Sequence, residues 1–174
     1  MTLVRFEKPH AALADSYPAM VREFVDRGEA LIPFLLSFAH DDFGAFLAQL
    51  SACERGEGIP AGFVPHSTFW LVDDAGEVVG VSNLRHRLTD RLRVEGGHIG
   101  YGIRPSARRK GHATELLRRT LEHARALGID EALLTCAKDN AGSVAAIRKC
   151  GGRFHSEEFI ESRGEIVQRY LVTP

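Results

Sequence analysis

The chain has 174 residues, 44% of them apolar and 26% charged, which is enough to bury a core and ordinary for a folded soluble domain. Twenty-two lysines and arginines stand against 23 aspartates and glutamates, so a formal charge of −1 gives no overall basic field for nucleic acid or an anionic membrane. The longest apolar stretch, Ala30 to Ala39, is broken by Pro33 and Ser37 and is too short to span a bilayer.

One domain over residues 1–174 is expected, and the N-terminal Met1 to Glu7 lacks the apolar region of a signal peptide. Cys53, Cys136 and Cys150 are odd in number and widely spaced, which suits free thiols in a reducing cytoplasm better than disulfides or zinc. The eight histidines show no HxxxH or HExxH spacing, so no metal is expected.

Leu3 to Phe6 reads as a first strand, followed by a helical pattern from Ala11 to Arg27 that stops before Gly28. Asp41 and Asp42 precede a second helix carrying Phe43, Phe46, Leu47 and Leu50, and Cys53 to Pro65 is a loop rich in Gly and Pro. Thr68 to Val72 and Glu77 to His86 form a hairpin around Asp73-Asp74-Ala75-Gly76. Leu88 to Glu95 is polar and reads as an exposed excursion, and Gly97 to Ile103 is a strand stopped by Pro105. Ala113, Leu116, Leu117, Thr120, Leu121, Ala124 and Leu127 then form one stripe of a helix ended by Gly128. A strand at Ala132 to Cys136 and a helix at Ala141 to Lys149 follow, and a final hairpin pairs Arg153 to Ile160 with Glu165 to Val172. The strand–helix–strand unit predicts a parallel pair within an otherwise antiparallel sheet.

The most informative segment is Arg108-Arg109-Lys110-Gly111-His112-Ala113, lying between an apolar strand and an amphipathic helix. It reads R-x-x-G-x-A. Such a turn aims successive backbone N–H groups and a helix N-terminus at one point, a site that favours an anion. Gly111 and Ala113 have little side chain to keep a diphosphate from the backbone, and three cations in the turn add attraction.

The run from Gly100 to Ala113 resembles the acetyl-CoA-binding motif of the GNAT superfamily of N-acetyltransferases. Asn140-Ala141-Gly142-Ser143, in a helix closed by Gly151-Gly152-Arg153-Phe154, resembles that family's second cofactor-contacting segment. The resemblance implies an α/β fold: a central mixed, mostly antiparallel seven-stranded sheet flanked by about four helices. It implies acetyl-CoA as co-substrate, with Arg108, Arg109, Lys110, Gly111, His112, Ala113 and Thr114 at the pyrophosphate. Tyr101, Gly102 and Ile103 would lie along the pantetheine arm, with Asn140 and Ser143 on its other side. For Gly100 and Gly102 a bulge or close packing stays open, and Asn140 is equally suited to capping its helix.

The implied reaction is attack of an amine on the thioester, which needs a base and a preorganised oxyanion donor. His98, ten residues before Arg108, is the first choice of base and Glu95 the reserve; His98 reads equally as a half-buried strand histidine. Asn83 is a candidate for orienting a water or the amine. Where the family often carries a sulfur-protonating tyrosine, this chain has Ile147, leaving Ser143 and Tyr170 as unassigned hydroxyls. Acidic residues in the acceptor-side segments, among them Asp41, Asp42, Glu157, Glu158 and Glu161, suggest a cationic small-molecule or peptide amine. A homodimer through a sheet edge or the last hairpin is compatible with the family. The competing reading is an acyl-CoA-binding module that has lost catalysis.

Overall fold

The computed structural model describes residues 3–174. Strands β1 (Val4–Glu7), β2 (His66–Asp73), β3 (Val78–Arg85) and β4 (Ile99–Ile103) form one antiparallel sheet in that order. Strands β5 (Ala132–Ala137), β6 (Arg153–Ile160) and β7 (Glu165–Val172) form a second, with β7 in the middle. The seven-stranded sheet expected from sequence is therefore split four and three, and the expected parallel pair, β4 with β5, is reduced to a single junction.

That junction is His98. Its N–H donates to the Leu133 carbonyl at 2.7 Å, while Leu133 N–H donates to His98 Nδ1 at 2.9 Å. The ring nitrogen stands in for a main-chain carbonyl, because His98 O already accepts from Arg85 N–H at 2.7 Å. Gly97 makes the approach possible: it sits at φ 62°, and a Cβ there would lie 2.4 Å from Leu133 O.

One face of the larger sheet is covered by α1 (Ser16–Asp26) and α2 (Phe43–Arg55), which press Tyr17, Met20, Phe24, Phe46 and Leu50 onto Trp70, Val72 and Val81. Tyr17 stacks on Trp70 at 4.7 Å between ring centroids. The helix expected over Ala11–Arg27 is interrupted: a single 3-10 turn precedes α1, and the Ser16 hydroxyl that opens α1 accepts from Val78 N–H at 2.7 Å. Asp42 caps α2 by accepting from Ala45 N–H at 2.9 Å, and the helix runs into the expected loop as far as Arg55, ending at Gly56.

The opposite face carries α4 (His112–Ala126) and α5 (Ala141–Lys149), with Leu117, Leu121, Ala124 and Ile147 packed on Phe69, Leu84, Ile99, Leu134 and Tyr170. The exposed excursion expected over Leu88 to Glu95 contains a further helix, α3 (Asp90–Val94), making five where about four were expected. Thr89 caps it by accepting from Leu92 N–H at 3.3 Å. It is held over the smaller sheet, because Arg169 Nε donates to Val94 O at 2.9 Å and Gly96 N–H to Thr135 Oγ1 at 3.0 Å. Among the described residues no helix is long and apolar enough to cross a membrane.

The junction makes stability depend on pH. Burial, with Arg93 and Arg85 nearby, lowers the His98 pKa to about 4, and burial beside Arg85 lowers that of His66 to about 4. Both rings titrate near 6.5 in an unfolded chain, roughly the ordinary histidine value. Between those limits the unfolded chain binds more protons, so stability rises with pH across the window and is lost as pH falls through it. The urea midpoint should hold above pH ~6.5 and decline toward pH ~4. His98→Asn keeps an acceptor for Leu133 N–H without titrating there, so it should flatten part of that decline. An unchanged slope in the variant would contradict this assignment.

Candidate active site

Beyond His98 the two sheets diverge, and β4 is left with one unpaired edge. Arg85 N–H bonds His98 O, and Arg104 N–H bonds Val79 O at 2.9 Å. The alternation of an antiparallel ladder therefore turns the N–H and C=O groups of Ile99, Tyr101 and Ile103 away from β3, toward β5. Ile103 O accepts from Arg108 Nε at 3.2 Å, which leaves a short row of main-chain groups lining the gap. Gly102 presents its main chain to β3 instead. A Cβ there would lie 2.2 Å from Ile32 O, so this glycine serves the packing of the α1–α2 connection against β4.

Tyr101 points to the α4–α5 face and bridges the gap with its side chain. Its hydroxyl donates a long hydrogen bond to Ser143 O at 3.5 Å, and Cys136 and Cys150 lie close enough to influence it. Burial raises the phenol pKa to about 12, so it stays protonated through the physiological range. This hydroxyl is a functional candidate that the sequence does not announce, because the segment it bonds, at Ser143, lies 42 residues away.

At the far end of β4 the chain turns through Pro105–Ala107 into α4. Arg109 and Gly111 both have positive φ, 66° and 86°, and no side chain caps the helix. Among the described residues, no protein group accepts from the N–H groups of Arg109, Lys110, Gly111, His112, Ala113 or Thr114; the first bond of the helix is Glu115 N–H to Gly111 O at 3.2 Å. Nothing lies within 4 Å of where a Gly111 Cβ would project. Six unpartnered main-chain donors, a helix dipole and open space at Gly111 fit the diphosphate of coenzyme A. Arg109 and Lys110 are exposed there, while the His112 ring is buried and offers only its main chain.

Arg108 has another task. Its guanidinium bonds both carboxylate oxygens of Glu29, at 3.0 Å for Nη1, and lies 5.4 Å from the Phe24 ring centroid. The arginine anchors the turn to the α1–α2 connection, and the pair holds the Glu29 carboxyl below its usual range.

Across the gap, Asn140 Oδ1 accepts from Ser143 N–H at 3.0 Å, so it caps α5. Ile147 is fully buried and packs on Gly152. Tyr170, one of the hydroxyls considered for the departing sulfur, is fully buried and donates to Gln168 Oε1 at 2.7 Å.

The two candidate bases differ in what they have free. With Nδ1 accepting from Leu133, a neutral His98 carries its proton on Nε2 and has no lone pair left to take another. Glu95 closes α3 beside Gly96; one carboxylate oxygen accepts from Arg91 Nε at 3.2 Å, and the remaining lone pairs are available. Three of the five acidic residues expected to favour a cationic acceptor have partners of their own: Asp42 caps α2, Glu157 pairs with Lys138 at 2.8 Å, and Glu158 pairs with Arg169 at 2.8 Å.

The fold is shared widely. A ribosomal-protein-S5-alanine acetyltransferase from Vibrio fischeri aligns with TM-score 0.72 at 13% identity, covering 99% of this chain and 96% of that one. A ribosomal L7/L12 alpha-N-protein acetyltransferase in complex with coenzyme A aligns at 0.71 and 14% identity, covering 99% and 95%. A dodecameric spermidine N-acetyltransferase from Vibrio cholerae aligns at 0.63 and 15%, covering 98% and 93%. No curated protein matches the sequence. The sequence model of the acetyltransferase (GNAT) domain, however, matches residues 5–153, and the chain belongs to that acetyltransferase family.

Proposed function

We propose that the protein transfers the acetyl group of acetyl-CoA directly to a primary amine of a small-molecule or peptide acceptor. The observation that carries this reading is the row of six unpartnered N–H groups from Arg109 to Thr114 at the start of α4. Acetyl-CoA supplies the activated acyl group. The diphosphate lies on that row, and the pantetheine arm pairs with the free edge of β4 at Tyr101 and Ile103, as an added strand would. Asn140 and Ser143 face it from α5.

An edge N–H of β4 is the donor for the oxyanion that forms when the amine attacks. Glu95, with lone pairs available, takes the proton of the incoming ammonium, directly or through a water. The Tyr101 phenol, held protonated, donates a hydrogen bond to the departing sulfur. A thiolate near pKa ~8.5 is too weak a base to deprotonate a phenol near 12, so the phenol stabilises the leaving group by that bond alone. The loss of catalysis implied by the competing reading rests on Ile147, and a phenol delivered from β4 removes its force.

Four substitutions test the assignments. Gly111→Glu places a carboxylate and a strained left-handed backbone at the cradle, and calorimetry should find coenzyme A affinity lowered at least ~100-fold with a folded protein in circular dichroism; unchanged affinity would remove the cradle. Glu95→Gln should lower kcat roughly 10²–10⁴-fold, while His98→Asn keeps it within about tenfold. The reverse pattern would return the base to His98. Tyr101→Phe should slow thiol release by about tenfold without changing coenzyme A affinity, and a wild-type rate would exclude the phenol.

A further inference from the structure

On the face of the sheet opposite α4, Arg85 is a cation without a counter-ion. It is paired across the strands with His66 and lies one register step from Asn83, whose cross-strand partners are Thr68 on β2 and Gly100 on β4. Its Nη1 donates to the carbonyls of Gly96 and Gly97, both at 3.0 Å, and its guanidinium carbon lies 5.7 Å from the Phe34 ring centroid. No carboxylate pairs with it among the described residues, although the chain has 23 of them. Burial alone lowers its pKa to about 10, and its charge contributes to lowering both His66 and His98. Two carbonyl dipoles offset a desolvated cation only in part.

The neighbours are also incomplete. Asn83 Oδ1 and Thr68 Oγ1 are buried with no hydrogen-bond partner, and Asn83 and Thr68 are 0% and 3% exposed. The Asn83 amide donates to His66 Nδ1 at 2.7 Å, leaving its oxygen as an idle acceptor. Phe34 packs edge-on against His66 at 5.2 Å, and the exposed Phe63 stands 5.4 Å from Phe34. An uncompensated arginine, two idle acceptors and an aromatic rim meet beside Gly100, on the strand that lines the gap.

We propose that the acceptor amine carries a carboxylate, and that Arg85 binds it on this face of β3 and β4. The inference rests on the acetyl-transfer reading and specifies its acceptor as an amino acid. A carboxylate supplies the missing counter-ion in the planar geometry a guanidinium matches best, while the idle Asn83 and Thr68 oxygens suit the N–H groups of the same molecule. The aromatic rim suits an apolar side chain.

The test measures thiol release from acetyl-CoA with each protein amino acid beside its amide, its decarboxylated amine, 2-aminoethyl phosphate and spermidine. At least one apolar amino acid should exceed its own amide and amine by about tenfold or more in kcat/KM. Arg85→Gln should raise KM for that amino acid about 10- to 100-fold and erase the preference, with coenzyme A affinity preserved and the protein still folded in circular dichroism; Arg85→Lys should restore part of the affinity. Equal use of acid and amide, a preference that survives Arg85→Gln, or a better rate with the phosphate or spermidine would overturn the inference. Coenzyme A binding without thiol release from any member would overturn it as well, whereas a protein that does not bind coenzyme A would overturn the acetyl-transfer reading itself.

Discussion

Strand β4 can bond to neighbours on both edges only as far as His98, and the rest of the molecule is arranged around that limit. At His98 the main chain and one ring nitrogen hold β5 within hydrogen-bond distance. One residue later the ladder to β5 stops, and the outward-facing amides of β4 have no strand to meet. A buried, unpaired strand edge is costly in a finished fold. It is tolerated here at the mouth of a gap where an extended ligand can complete the ladder, with the open start of α4 at the far end of the same strand. The two features follow one another along the chain: a free strand edge, then a turn whose donors have no protein acceptor.

The sheet separates two environments. On the α4–α5 side lie the cradle, the Tyr101 phenol and the α5 cap. On the other side lie Arg85, His66, Asn83 and Thr68, enclosed by the α1–α2 connection and the α3 excursion. Gly97 and Gly102 make that enclosure possible, since each admits a carbonyl oxygen to within a distance no Cβ would allow. Histidines that look catalytic in isolation are held neutral by this enclosure, and one of them acts as a strand junction. The charge that persists is the arginine's.

Much of this was legible in the sequence because it is local. The R-x-x-G-x-A turn, the α4 stripe and the β6–β7 hairpin each follow from residues adjacent along the chain, and the structure places them with nearly the expected boundaries. Asn140 read both as a cap and as a cofactor residue, and its capping bond is seen. What could not be read depends on distant partners. Nothing near His98 announces that Leu133, 35 residues away, will occupy its Nδ1. Nothing near Arg108 announces Glu29, nor does the sequence mark Arg85 as the cation left without a carboxylate. The ion pairs of Glu157 and Glu158 were hidden for the same reason, since their partners Lys138 and Arg169 are neighbours only across the strands of the second sheet. Helix α3 was missed because it depends on how the excursion packs onto β5 and β7.

The central claim is that the main-chain N–H groups from Arg109 to Thr114 receive the diphosphate of the acyl donor. The most direct measurement is an amide proton–nitrogen NMR titration of the assigned protein with coenzyme A and, separately, with pantetheine, which lacks the diphosphate. Coenzyme A should move these six resonances strongly downfield, and pantetheine should perturb Tyr101 and Ile103 while leaving the six nearly in place. Six unmoved amides at saturating coenzyme A, or equal shifts with both ligands, would contradict it.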